Sequence, residues 1–235
     1  MKRLPTPLRG LIEAAVVLAS ILLAFSIDAW WDERQDRRLR EAVISAVALE
    51  AAANGAELQL AVDGTVDRLA RIDRFLSLPG DSGPGIPADS VISIVLALPQ
   101  VETFDPVVSA ASILVETPLL DQEGIALRAA VDQWLQALSK ALEERERLYD
   151  SRADVLGLLA RYAIRDSGDG MSYSIPAEVA GTDPGILGEL RADDDLVAAV
   201  IEKAHWQRRY LDELQRVSAA LNSMMGTLDT SAPGR

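Results

Sequence analysis

His205 is the only histidine in 235 residues, and the chain has no cysteine. One imidazole cannot build the two- or three-histidine site of zinc hydrolases, and no HExxH is present. The segment Glu202-Lys203-Ala204-His205 gives one Glu-x-x-His, where a dimetal site in a helical bundle needs two. Without cysteine there are no disulfides, thiolate metal sites or cysteine nucleophiles. No GxSxG, Walker A loop or GxGxxG opens a strand-to-helix turn. Asp166-Ser167-Gly168-Asp169-Gly170 has the look of a calcium loop, but no glutamate falls at the bidentate position, so it reads as a turn. The remaining candidates are aromatic and basic. Trp134, Tyr162, His205, Trp206 and Arg209 could wall a ligand groove, with core packing the plainer account of the aromatic residues. We expect no catalytic residue, metal or cofactor, and read the chain as a non-enzyme.

Composition narrows the partners. A formal charge of −13 and a pI near 4.5 lack the basic footprint that nucleic-acid binding needs. Alanine and leucine dominate a chain poor in aromatics, which favours helix over sheet.

The elements that must carry these residues start at Leu11–Trp31, LIEAAVVLASILLAFSIDAWW. A bilayer core takes about 20 apolar residues in a helix, and this run is that long. Trp30 and Trp31 stand where an interfacial aromatic belt belongs. Glu13 lies about one turn inside the apolar boundary; it snorkels to headgroups or pairs with a second transmembrane helix. Asp28, Trp30 and Trp31 join it as candidate intramembrane or partner contacts. A cleaved signal peptide ending near Ala24-Phe25-Ser26 is the competing reading. An acid in the apolar run and a helical pattern that continues past the tryptophans favour an uncleaved anchor. Lys2, Arg3 and Arg9 before the span oppose Arg34, Arg37, Arg38 and Arg40 after it, so the positive-inside count does not decide orientation.

Beyond the span, Leu39, Val43, Val47, Ala51, Leu58, Val62, Leu69, Ile72 and Leu76 keep a helical period to Leu78. Asn54, Gly55 and Gly64 weaken its middle. A proline- and glycine-rich loop at 79–87 precedes a short helix capped by Asp89 or Ser90. Asp105-Pro106 predicts the start of a second short helix reaching Glu116. A long helix over 123–164 carries Leu127, Val131, Trp134, Leu138, Ala141, Leu148, Val155, Leu159 and Tyr162 at coiled-coil steps. Arg145 and Arg152 fall on that seam, and drift onto Leu142, Tyr149 and Leu156 would leave them at its edge. After a loop over 165–185, a short helix follows Asp183-Pro184. Asp193, Asp194 and Asp195 then open a last helix through Val200, Ala204, Leu214, Leu221 and Leu228.

Two stretches resemble a broad bacterial family of uncharacterised single-pass membrane proteins. Ala24, Phe25, Ile27, Asp28, Trp30 and Arg34 match its anchor pattern of apolar run, Ala-Phe-x-Ile-Asp-x-Trp and charged helix. Thr103, Phe104, Asp105 and Pro106 match its central segment. Val115, Glu116 and Thr117 stand where that family usually has Ser/Ala-Ser-Gly. The resemblance implies an inner-membrane protein with a helical extramembrane domain, and it carries no activity or catalytic residue.

The expectation is an all-α chain: a tail over 1–10, a transmembrane helix over 11–31, a helical extramembrane domain over 32–228 and a disordered tail over 229–235. The transmembrane helix continues into the first of three long antiparallel helices, ordered up, down and up, with short helices at the membrane-distal end. The second long loop then returns to the membrane end. The expected partners are the lipid bilayer and either a second copy or another envelope protein, with dimerisation along an edge at Leu49, Leu60 and Val66. The domain is expected on the periplasmic side. The alternative is a small-molecule-binding sensor that signals through a partner membrane protein.

Overall fold

The computed structural model describes residues 6–79, 88–117, 122–163 and 185–231, with side chains from Val16 onward. Among these residues the chain is all-helical, with six helices and no strand: α1 Thr6–Ser77, α2 Ala88–Ala97, α3 Ser109–Glu116, α4 Gln122–Ala163, α5 Ile186–Ala192 and α6 Asp194–Ser231. Two compact units divide it, Met1–Ala48 and Leu49–Arg235. Over the described residues no helix is long and apolar enough to cross a membrane. Residues 11–15 of the expected span, Glu13 among them, lie outside the described side chains.

Proline placement sets the limits of α1. Pro7 sits in its first turn, where a missing N–H costs nothing, and Pro79 follows its end. In the first unit Val16, Val17, Leu18, Ile21, Leu22, Leu23, Phe25 and Ile27 are all exposed, between 47% and 68%.

In the second unit the same helix buries one stripe: Ala51, Leu58, Ala61, Leu69, Ile72 and Phe75. Around Ile72 and Phe75 an apolar cluster gathers Val91, Ile94, Val95 and Leu98 of and after α2, Val155 and Leu159 of α4, Leu187 and Leu190 of α5, and Leu196, Val200 and Ala204 of α6. Each such aliphatic or aromatic side chain removed from water contributes about 1.5–3 kcal/mol before entropy is counted.

The course of the long helices differs from the expected up, down and up. Helix α4 packs against α6 in antiparallel fashion, Glu144 meeting Arg209 and Tyr162 meeting Asp193. The 49–77 stretch of α1 is also antiparallel to α6, since Asp73 pairs with Arg208 and Gly55 lies against Leu221. Helices α1 and α4 therefore run parallel.

The reason lies in residues 101–108, which form no helix and run back down α1. Glu102 pairs with Arg68. The Asp105 N–H donates to Glu57 Oε1 at 3.3 Å. Asn54 exchanges two bonds with the Val107 backbone, at 2.7 and 3.0 Å. The Ala110 and Ala111 N–H groups donate to the Glu50 carboxylate at 2.8 and 3.2 Å. Arg68 back to Glu50 is about 27 Å of helix, a length covered by the non-helical chain after Glu102 together with the reach of the side chains that bind it. This strap returns the chain to the Glu50 level before α4 begins.

Three local expectations change with it. Asp105-Pro106 stays in the strap and caps nothing; α3 starts at Ser109 with Val108 as an N-cap lacking a side-chain bond, and Glu50 of α1 supplies the missing acceptor. Asp89 lies within the first turn of α2. The loop between α4 and α5 joins ends on the Ser77 side, because Arg191 donates to the Leu76 and Leu78 carbonyls. Asp193 does open α6, its Oδ1 accepting from the Leu196 N–H at 3.1 Å.

Candidate functional site

The five residues expected to wall a groove fall in three separate places. Trp134 is core, 1% exposed, and its indole N–H has no acceptor among the described residues. Tyr162 donates to Asp193 Oδ2 at 2.8 Å, tying the end of α4 to the start of α6. Partial burial and that carboxylate push the Tyr162 phenol up to about 12, while the same bond holds Asp193 below the usual carboxylate range. His205, Trp206 and Arg209 do share one turn of α6.

Around Trp206 the geometry is well defined. The guanidinium carbons of Arg147 and Arg209 stand 5.4 and 5.6 Å from its ring centroid. Both arginines donate to Glu144 Oε1 at 2.8 Å. Glu144 is buried on the α4 seam, and its Oε2 has no partner among the described residues. His205 is exposed and meets Trp206 edge-on at 5.1 Å. The two arginine heads stack by Trp206 and bind Glu144, so this cluster joins α4 to α6. Glu202 faces Trp206 Nε1 at 3.5 Å. Among the described residues no three His, Cys, Asp or Glu side chains could hold a metal ion; residues 166–170 lie outside them.

Several polar side chains lie where the sequence does not place them; Glu144, which with Glu143, Arg145, Glu146 and Arg147 reads in the sequence as part of a solvated face, is buried. Glu144 and Ser151 take inward positions on α4, and Arg145 reaches from the stripe edge to the Phe104 carbonyl at 3.1 Å and to Asp105 Oδ1 at 2.6 Å. Leu142, Tyr149 and Leu156 are half-buried, so the predicted drift is only partial. Lys203 is wholly buried, and its ammonium donates to Gln207 Oε1 at 2.9 Å. Burial, with Arg68 and Arg152 nearby, lowers the Lys203 pKa to about 7. A lysine three residues after Val200 and seven from both Leu196 and Tyr210 is the only sequence signal for this, and it is ambiguous, since such residues usually snorkel out.

In the first unit Asp28, Trp30 and Trp31 are exposed. The two indoles lie 6.4 Å apart and tilted by 56°. The Arg34 guanidinium sits 5.4 Å from the Trp30 ring centroid. Trp31, Arg34, Gln35 and Arg38 line a concavity of about 130 Å³. It joins aromatic and arginine side chains, but not the ones expected to do so. Comparison with protein-family models, curated proteins and solved structures found no match.

Proposed function

We propose that the chain is a single-pass membrane protein whose α1 anchors it through Leu11–Trp31 and whose helical second unit serves as an interaction module of the bacterial envelope. One observation carries the reading: the aliphatic side chains from Val16 to Ile27 are exposed on every side of the helix. A helix apolar all round needs either a protein core or lipid around it. The tryptophan pair and the charged stretch that follow are ordered as at a bilayer boundary. The resemblance to single-pass bacterial proteins supports the same reading, with the second unit on the periplasmic side.

The interaction role rests on α1 in the second unit. Leu49 and Leu60 are 72% and 71% exposed, and Val66 lies on the same helix, also exposed. Ala53 and Ala56 fall between the leucines at steps of four, three and four, and both are exposed. This edge would meet a second copy or another envelope protein. Alkaline extraction of membranes tests the anchor: the full chain stays in the pellet, and release into the supernatant contradicts it. Single cysteines at Leu49, Ala53, Ala56 and Leu60, introduced into a chain with none of its own, test the edge by disulfide crosslinking in membranes. Bands at these positions, with none at buried Leu58, support self-association; a uniform absence leaves a different partner to be captured from the same sites.

A further inference from the structure

We propose that the strip Trp31, Arg34, Gln35 and Arg38 is a binding site for the phosphodiester of an anionic phospholipid headgroup. The proposal rests on the anchoring reading above and adds a ligand to it.

In sequence, Asp32-Glu33-Arg34-Gln35-Asp36-Arg37-Arg38 alternates its charges and looks neutral. The helix sorts them. Positions 31, 34, 35 and 38 are one face at steps of three and four, and they carry an indole, two guanidiniums and an amide with no carboxylate. Asp32 and Asp36 lie off this face, about 60° and 100° round the helix from Gln35, and Asp28 and Glu41 bound it one turn before Trp31 and one turn after Arg38. Glu33 is taken up by Arg37, at 3.7 Å. Among the described residues neither Arg34 nor Arg38 forms an ion pair, while Arg37 does. Two unneutralised guanidiniums one turn apart therefore face the same 130 Å³ concavity.

That donor set suits one ligand class. Guanidinium presents paired N–H groups that match two phosphate oxygens, and Gln35 adds an amide donor. The Trp30 ring beside Arg34 fixes one guanidinium at little entropic cost. A free anion approaching a chain of charge −13 is repelled at long range, whereas a lipid in the same leaflet is already held beside the site. Depth agrees. With Trp31 at the interface, Arg34 and Arg38 stand about 4.5 and 10 Å further along the axis, spanning the headgroup layer. Two basic groups there favour an anionic lipid over a zwitterionic one.

The test uses the full chain in nanodiscs of phosphatidylcholine with and without phosphatidylglycerol, read by native mass spectrometry of retained lipid. Wild type should retain phosphatidylglycerol in preference to phosphatidylcholine by about tenfold or more. R34Q/R38Q should lose that preference, and R37Q should keep it. Equal retention by wild type and R34Q/R38Q, or equal loss in R37Q, overturns the site. Displacement by millimolar inorganic phosphate would show a free-phosphate site and overturn the lipid assignment. A chain that enters nanodiscs without selecting lipid refutes this inference alone; a chain that does not enter them refutes the anchor as well.

Discussion

Two apolar stretches of this chain have nearly the same composition and opposite surroundings. Val91, Ile94, Val95 and Leu98 are sealed at 0–2% exposure among side chains of α1, α4, α5 and α6. Val16 to Ile27 on α1 expose the same residue types, at 47–68%. Aliphatic content alone therefore does not say what surrounds a segment. The α2 segment is ten residues, bounded by Pro87 and Pro99, and too short to span a bilayer; the apolar run Leu11–Trp31 of α1 is about twice that length. Length and the presence of converging partners separate the two cases.

Substitutions in the two regions should part sharply. Phe75→Ala removes a fully buried ring from the cluster and should cost about 3–5 kcal/mol in chemical denaturation of the second unit. Phe25→Ala, at a residue 68% exposed, should leave that transition unmoved. A comparable loss from both would show that the first unit shares the second one's core. Leu22→Asp should instead act on membrane retention, at about 2.5–3.5 kcal/mol for a mid-bilayer acid, read as the fraction extracted by alkali.

Lys203 sharpens the contrast from inside the core. Its folded pKa of about 7 lies below its unfolded value, so between those values the unfolded chain binds the extra proton. Stability should climb as pH rises from about 7 towards 10.5. The Lys203→Met/Gln207→Leu double variant should flatten that climb and gain about 1–3 kcal/mol at pH 7. A climb of unchanged slope would assign it to other groups.

Smaller effects lie at the helix junction and the glycines. Tyr162→Phe should cost about 0.5–1.5 kcal/mol by removing the bond to Asp193. Because Asp193 is held below its usual pKa, its share of stability is present above pH 4 and lost as pH falls through the folded value. Gly157→Ala meets nothing within 4 Å and should gain up to about 1 kcal/mol of helix propensity. At Gly64 a Cβ would stand 3.0 Å from Glu102 Cδ, against the Arg68 ion pair, and the gain should vanish.

Helix periods were legible because Leu127, Val131, Trp134 and Leu138 bury one side at regular steps; Pro79 and the Asp193 cap marked helix limits, while Asp105-Pro106 did not. Helix direction was not legible. It depends on Asn54 and Glu50, which look like a weak helix position and a solvated acid until the strap at 101–111 supplies backbone partners from some 50 residues away. The five candidate groove residues are not gathered in one place for a related reason: Trp134, Tyr162 and Trp206 are aromatic for three different local purposes, and type alone does not show which residues converge. The concavity beside Trp31 was hidden by alternating charges that only the helical step separates.

The central claim is that Leu11–Trp31 lies in lipid. Single cysteines placed one at a time from Val16 to Arg40, probed in intact membranes with a water-soluble maleimide, test it most directly. The account predicts a protected block ending near Trp31 and full labelling from about Glu33 onward. Even labelling across the whole stretch would contradict it.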